Sequence, residues 1–390
     1  MLAKFSTPGF LLVLTLAAFR AYQYPDYCSD EFQYMANAVA MHGAHAPEIH
    51  ETVYREVLAQ VPENILNHLL GKDPVESPQS RSYIERASNP YSFAQFLPCF
   101  AVRPIFNEFV YVLHYWFGVG LLRATVLIPV LSYWFMGCIA LLWISAYVPA
   151  IWAAVCCALL MLTPPVWDLA RWPTPDALSS LALLLALYFI LEKKWLTPGL
   201  TILLASVYVR TDNVLMAVLV LAYLSIVTKT IDKTKAAVLA AVAIGSVPLI
   251  NHFGGDYGPR MLYYRAFLGV PMAPGVMVAP PFGWRDYMVA LHAGIVGVVH
   301  EEYIPFALMG VVGFLRRPTP AIAGLTMLAA AYAAGHFLLY PLPEDRFFGL
   351  FFVAMGISMA STLVAVRARS LQPVASLPVA SSISRTGLSA

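Results

Sequence analysis

Two adjacent acids, Asp30 and Glu31, stand directly after the first apolar stretch of the chain. They are the first residues placed to do acid–base chemistry. The segment they open, from Tyr24 to Gly43, puts Phe32, Met35 and Val39 on one helical face. Ser29 is placed to cap this helix and Gly43 to stop it. The pattern predicts an amphipathic helix lying on a membrane surface, with Phe32, Met35 and Val39 facing the membrane. Acids at a helix start can simply complement the dipole, or one can accept a proton from a reacting hydroxyl. Successive helical residues are about 100° apart, so the two carboxylates cannot point the same way. Asp30, nearer the cap and on the shorter arm, is expected to be the base. Glu31 is expected to bind the acceptor or to brace an arginine.

The complementary groups are arginines: Arg103, Arg123, Arg171, Arg210 and Arg346 fall at or near the end of an apolar stretch, and Arg260 and Arg265 in a Gly/Pro-rich loop from Phe253 to about Trp284. A guanidinium holds phosphate or carboxylate through a planar fork that lysine lacks. Each of them can also do no more than pair with a neighbouring acid. Arg103 and Arg346 are expected to hold a phosphate, with Asp176 orienting one of them or the group attached to that phosphate. Arg171, Arg260, Arg265 and His336 are supporting candidates, and His252 is a further histidine at a stretch end. His42 and His45 are three apart beside the acids, but an interfacial pair is the better reading than a metal site. His300-Glu301-Glu302 lacks the HExxH spacing and reads as a solvated helix end.

These groups need a scaffold, and composition indicates its kind. The 390 residues are 59% hydrophobic and only 12% charged, with a mean hydropathy of +0.68. A soluble chain of this length cannot hide that much apolar surface. Apolar runs of roughly 17–25 residues recur throughout, which predicts an all-α, polytopic membrane protein of about ten spans with surface-lying helices in a large first loop. The expected organisation is one membrane unit over residues 1–369, a first extracytoplasmic loop over 23–118 and a disordered cytoplasmic tail over 370–390. Within the loop, Glu48 to Leu70 forms a second amphipathic stretch, and Arg103 to Gly118 suits a surface helix better than a span. Cys28 and Cys99 share this loop, so a disulfide between them is open. The other cysteines, Cys138, Cys156 and Cys157, read as core packing. The net charge of +2 gives no sign of nucleic-acid binding.

Sidedness follows from lysine. With Lys4 cytoplasmic, simple alternation also places Glu192-Lys193-Lys194, the Lys229–Lys235 segment, Arg316-Arg317 and Arg367/Arg369 inside, as the positive-inside rule requires. All lysines but Lys72 then lie inside. Most arginines, and all acids except Glu192 and Asp232, lie outside. An outer face bearing acids and arginines and open to lipid suits transfer of a sugar from a lipid-linked phosphate donor. A carboxylate takes the acceptor's proton, and cations meet the charge that develops on the phosphate leaving group. A transporter or lipid-linked glycan flippase is the alternative. It would show inverted repeats and ionisable groups near the midplane, whereas these groups gather at one face and no repeat is visible. A non-catalytic membrane scaffold would leave the outer arginines without a role.

The residues also carry a resemblance. The Asp30-Glu31 pair leading into Tyr34 and Ala38 and ending at Gly43 resembles the first-loop element of the GT-C superfamily of integral membrane glycosyltransferases, in particular the protein O-mannosyltransferase and lipid A aminoarabinose transferase branches. Arg103-Pro104-Ile105 resembles the start of that family's second juxtamembrane helix, without its second proline. Thr174-Pro175-Asp176 is similar to its second-loop aspartate, and Tyr340-Pro341 followed by Arg346 to its late Pro and Arg segment. The resemblance spans Phe5 to Val366 in layout. It implies a polyprenyl-phosphate sugar donor, inversion at the anomeric carbon, membrane lipids around the protein and an acceptor that remains open. It also implies a bacterial inner membrane with the active site on the periplasmic face. No metal is expected in catalysis in the named branches, although some related branches need a divalent ion. No large soluble domain, such as many relatives in that family carry, is expected after the last span.

Overall fold

The computed structural model describes residues 2–72, 78–256, 283–300, 302–316 and 318–370. Among these residues the chain is helical and contains no strand. The expected tail over 371–390, the loop positions Arg260 and Arg265, and Glu301 lie outside the described residues.

The chain begins with α1 (Leu2–Gln23), and a first-loop unit follows. It comprises α2 (Ser29–Met41), α3 (Ala46–Gln60), α4 (Glu63–Leu69), α5 (Pro78–Ser88), α6 (Pro90–Ala94), α7 (Leu97–Ala101) and α8 (Pro104–Tyr115). The bundle continues with α9 (Leu121–Ser145), α10 (Ala150–Met161), α11 (Pro164–Arg171) and α12 (Asp176–Leu187), the last ending in a π-helical turn, Tyr188–Glu192. Then come α13 (Leu196–Val209), α14 (Val214–Ala222) with its π turn Tyr223–Val227, and α15 (Lys233–Phe253). The last described helices are α16 (Trp284–His300), α17 (Tyr303–Leu315), α18 (Pro320–Leu339) and α19 (Gly349–Ser370).

Among the described residues three helices, α9, α15 and α18, are each long and apolar enough to cross a membrane. Counting bent pairs as single spans raises the number to six: α6–α7 with α8, α10 with α11, and α16 with α17, bent by 117°, 66° and 73°. A chain with several such helices is compatible with a multi-pass membrane protein. The helix over Leu196–Val209 and the one over Thr211–Val227, including its π turn, are apolar but shorter.

Two apolar cores result. One runs through the bundle, from Leu14 of α1 through Trp143 of α9 and Leu184 of α12 to Phe352 of α19. Gly137 permits part of it, because a Cβ there would lie 2.7 Å from Leu14 Cδ2. The second core belongs to the first-loop unit. It joins Phe32, Met35 and Val39 to Val53, Phe93, Phe106 and the start of α9 at Leu121 and Leu122. The expectation that Phe32, Met35 and Val39 face the membrane is therefore corrected. All three are buried among helices, since α3, α7, α8 and α9 pack around α2. The stop at Gly43 holds: α2 ends at Met41, and Gly43 takes φ +93°, a conformation that favours glycine. The start moves by one residue. Cys28 occupies the cap position without a side-chain capping bond, and Ser29 instead meets the Tyr83 hydroxyl at 3.2 Å.

Candidate active site at the arginine end of the bundle

The helix carrying Asp30 is pinned from its N-terminal side. Arg171, at the end of α11, pairs with both Asp26 and Asp168, and its Nε donates to the Tyr24 carbonyl at 3.3 Å. The Asp26 backbone N–H donates to the Arg171 carbonyl at 2.9 Å. Burial raises the Asp26 carboxyl above its ordinary range even against the Arg171 charge. Arg171 thus locks the linker before α2 rather than standing open to a ligand.

With α2 held there, Asp30 meets Arg346 from the far end of the chain. Arg346 Nη1 lies 3.4 Å from Asp30 Oδ2, and its Nε donates to Glu344 Oε2 at 2.6 Å. The guanidinium sits over the Trp172 ring at 4.9 Å and the Phe347 ring at 5.0 Å. Burial works against this charge, but Asp30 and Glu344 more than offset it and hold the group above even arginine's ordinary range. Arg346 is therefore a permanent cation in a largely dry place.

A second network also reaches Phe347. Arg210, at the end of α13, lies over that same ring at 4.9 Å. It pairs with Asp176 at the start of α12 and grips Asp212 with two bonds, Nε to Oδ1 at 3.0 Å and Nη2 to Oδ2 at 2.8 Å. Thr174 Oγ1 donates to Asp176 Oδ2 at 2.6 Å. Asp212 also faces His336 of α18, with Nδ1 at 3.2 Å. Asp176 was expected to orient Arg103 or Arg346. It pairs with Arg210 instead, because the start of α12 lies against the α13–α14 break.

Arg103 differs from these arginines. Its Nη1 donates to the Cys99 carbonyl at 2.9 Å, and its guanidinium lies over the rings of Tyr34 and Phe100 at 5.8 and 5.5 Å. Among the described residues no carboxylate pairs with it. Tyr34 is where the groups meet. Burial pushes its phenol well above the ordinary range, and the charges of Arg103, Asp30, Arg346 and Arg210 all act on it. Asp30, Arg103 and Arg346, far apart in sequence, are thus close enough to act on one buried phenol, with the Arg103 guanidinium 5.8 Å from its ring centroid.

Glu31 points elsewhere. It is fully buried, accepts from Thr125 Oγ1 at 2.7 Å, and its Oε2 has no partner. Burial pushes its carboxyl up to about 8, against the pull of Thr125 and Arg123. Its partner is a hydroxyl of α9, so it braces α2 against that helix and does not grip an arginine. The remaining candidates separate from the cluster. His42 stacks on Tyr115 at 4.1 Å, and His42 and His45 occupy the caps between α2 and α3 rather than one helical face. His252 is exposed beside Asp256. Both Cys28 and Cys99 are free thiols. No group of three or more His, Cys, Asp or Glu that could hold a metal ion occurs among the described residues.

Sequence reasoning gave Asp212, Glu344, Trp172 and Phe347 no role, named Tyr34 only within the first-loop resemblance, and treated Arg210 as one outer arginine among several. One signal was present: Arg210-Thr211-Asp212 breaks an otherwise continuous apolar stretch, and charges in such a break are functional candidates. No protein-family model, no curated protein and no solved structure matches this chain.

Proposed function

We propose that the protein is a glycosyltransferase that moves a sugar from a polyprenyl-phosphate-linked donor to an acceptor, on the outer face of a bacterial inner membrane and with inversion. The observation that carries this reading is the ion pair of a carboxylate, Asp30, with Arg346, together with a second arginine, Arg103, that lies over the Tyr34 ring of the same helix and that no described carboxylate neutralises. Arg103 and Arg346 are the phosphate-binding groups. They offer forked donors where negative charge grows on the leaving group. Asp30 is the base that takes the acceptor hydroxyl's proton as the oxygen attacks the anomeric carbon; the bond from that carbon to the phosphate oxygen breaks, and the phosphate keeps the electron pair. Asp176 acts one step removed, by fixing Arg210.

The layout proposed is GT-C-like with ten spans. The shorter apolar helices and the ends of the chain complete the set begun by α9, α15 and α18. Short spans and bent pairs suit a bundle whose outer end must open to a lipid substrate.

The test is direct. Purified protein in liposomes is given polyprenyl-phosphate mannose, glucose or arabinose radiolabelled in the sugar, with a detergent extract of bacterial envelope as the source of acceptor, and transfer of label with release of polyprenyl phosphate is followed. Release that depends on Arg103 and Arg346 is the expected result. Absence of release from every donor, together with movement of a fluorescent lipid-linked glycan between leaflets, would replace this reading with the flippase alternative.

A further inference from the structure

His336 has a buried atom that the reaction above does not use. The residue is 3% exposed, and its Nε2 has no hydrogen-bond partner. Its other nitrogen, Nδ1, faces Asp212 Oδ2 at 3.2 Å, and Asp212 is held as a carboxylate by the two-pronged grip of Arg210. A carboxylate accepts, so Nδ1 carries a proton and Nε2 is the ring atom left to find a partner. Leaving such an atom unpaired inside a protein is unfavourable. The rings of Tyr332, Phe347, Phe348 and Tyr340 stand around it with centroids 5.9, 5.8, 5.5 and 6.4 Å from the imidazole. A hydroxyl, which can donate or accept, suits Nε2 whether or not it carries a proton.

Charge decides which half takes the anion. Arg210 is outnumbered by Asp176 and Asp212, and Arg346 in the same way by Asp30 and Glu344, but Arg103, which has no carboxylate partner among the described residues, offsets the excess on the Arg346 side alone. An anion is favoured beside Arg103 and disfavoured beside His336. Phe347 contacts Arg346, Arg210 and His336 at once, so the two environments lie one aromatic ring apart. We propose that His336, oriented by Asp212, is a substrate-binding residue whose Nε2 shares a hydrogen bond with a hydroxyl of the donor's sugar, so that the site is divided into a phosphate half at Arg103 and Arg346 and a neutral polyol half at His336. This assignment rests on the glycosyltransferase reading and adds to it the half of the substrate each network takes.

The experiment compares two probes on the full-length protein in detergent–lipid micelles: bare polyprenyl phosphate, and the polyprenyl-phosphate sugar from the panel above that binds best. His336→Phe is expected to weaken the glycosylated probe about tenfold, the loss of one buried hydrogen bond, and to leave the bare lipid phosphate unchanged. His336→Met, flexible and without a strong acceptor, is run beside it in case the phenylalanine cannot be packed. Arg346→Ala is expected to weaken both probes equally. If the wild type does not bind bare polyprenyl phosphate, or Arg346→Ala binds it normally, the donor reading itself fails. If that reading holds but the ratio of the two affinities is unchanged in the His336 variants, or both probes weaken alike, the polyol half is overturned alone.

Discussion

The two ends of the bundle handle charge differently. α12 with its π turn runs from Asp176 to Glu192, roughly 25 Å at the usual rise, and α18 runs back from Thr319 to His336. At the Asp176/His336 end, Arg210, Arg346, Asp176 and Asp212 are largely buried and linked to one another through forked pairs and the Phe347 ring. At the Glu192/Thr319 end, the buried polar contact is modest: the Tyr147 hydroxyl donates to Glu192, and Thr319 reaches Tyr147 at 3.3 Å. The cations there, among them Lys193, Lys194, Lys229 and Arg316, are exposed. The buried, paired cations at the first end are arginines, whose planar fork keeps a charge directed; the exposed cations at the other end are mostly lysines and need only mark a surface. Burying a cation is worthwhile only if it does something there, and this asymmetry is why the arginine end is read as the site.

The comparison can be broken most sharply by topology. In a cysteine-free background, a single cysteine replacing exposed Tyr91 is expected to react with a membrane-impermeant maleimide from outside, and one replacing Lys229 only after the membrane is opened. The same sidedness for both would dissolve the distinction between the ends.

Asp30→Asn is expected to keep the fold and donor binding while lowering turnover by roughly 10²–10⁴-fold, the range for a lost general base. Initial rates on the true acceptor decide this, and near-normal turnover would remove Asp30 from the chemistry. Next in size, Arg103→Lys and Arg346→Lys should each reduce turnover roughly ten- to a hundredfold, since charge is kept but the fork is lost. Lys193→Ala and Lys194→Ala at the other end should leave rates within about twofold, as expected for exposed charges.

Glu31 offers a pH test within the arginine-end unit. Its carboxyl titrates near 8 in the folded protein against 4.5 ordinarily. Its contribution is therefore complete below about 4.5, declines as pH rises because the unfolded chain gives up the proton first, and levels off above about 8. Melting temperature should fall across that window in the wild type, and Glu31→Gln, which mimics the protonated group, should flatten the fall. A parallel decline in the variant would assign the pH dependence to other groups. The smallest effect is expected at the lysine end: Tyr147→Phe should cost about 1 kcal/mol of stability, the worth of one hydrogen bond, with no change in turnover. A measurable loss of activity there would show that the two ends are coupled.

Much of the local structure was legible in the residues. Apolar runs and a low charge fraction required helices in or on a membrane. Gly43 marked the end of α2, Arg103-Pro104 marked the start of α8, and the adjacency of Asp30 and Glu31 on a helix required them to diverge, as they do. Sequence alone also separated arginine from lysine along the chain, because those residues lie at the ends of apolar stretches whichever way the helices pack.

Tertiary structure decided the partners. Asp30 and Arg346 are 316 residues apart. Asp176 reaches Arg210 and Asp212 reaches His336 only because helix ends from distant segments are packed side by side. Periodicity tells which residues share a helical face but not what that face meets. The face of Phe32, Met35 and Val39 illustrates the limit: it reads as membrane-facing and is buried against other helices. Lipid tails and protein cores are both apolar environments, so hydropathy scores them alike, and only the packing of α3, α7, α8 and α9 around α2 distinguishes one from the other.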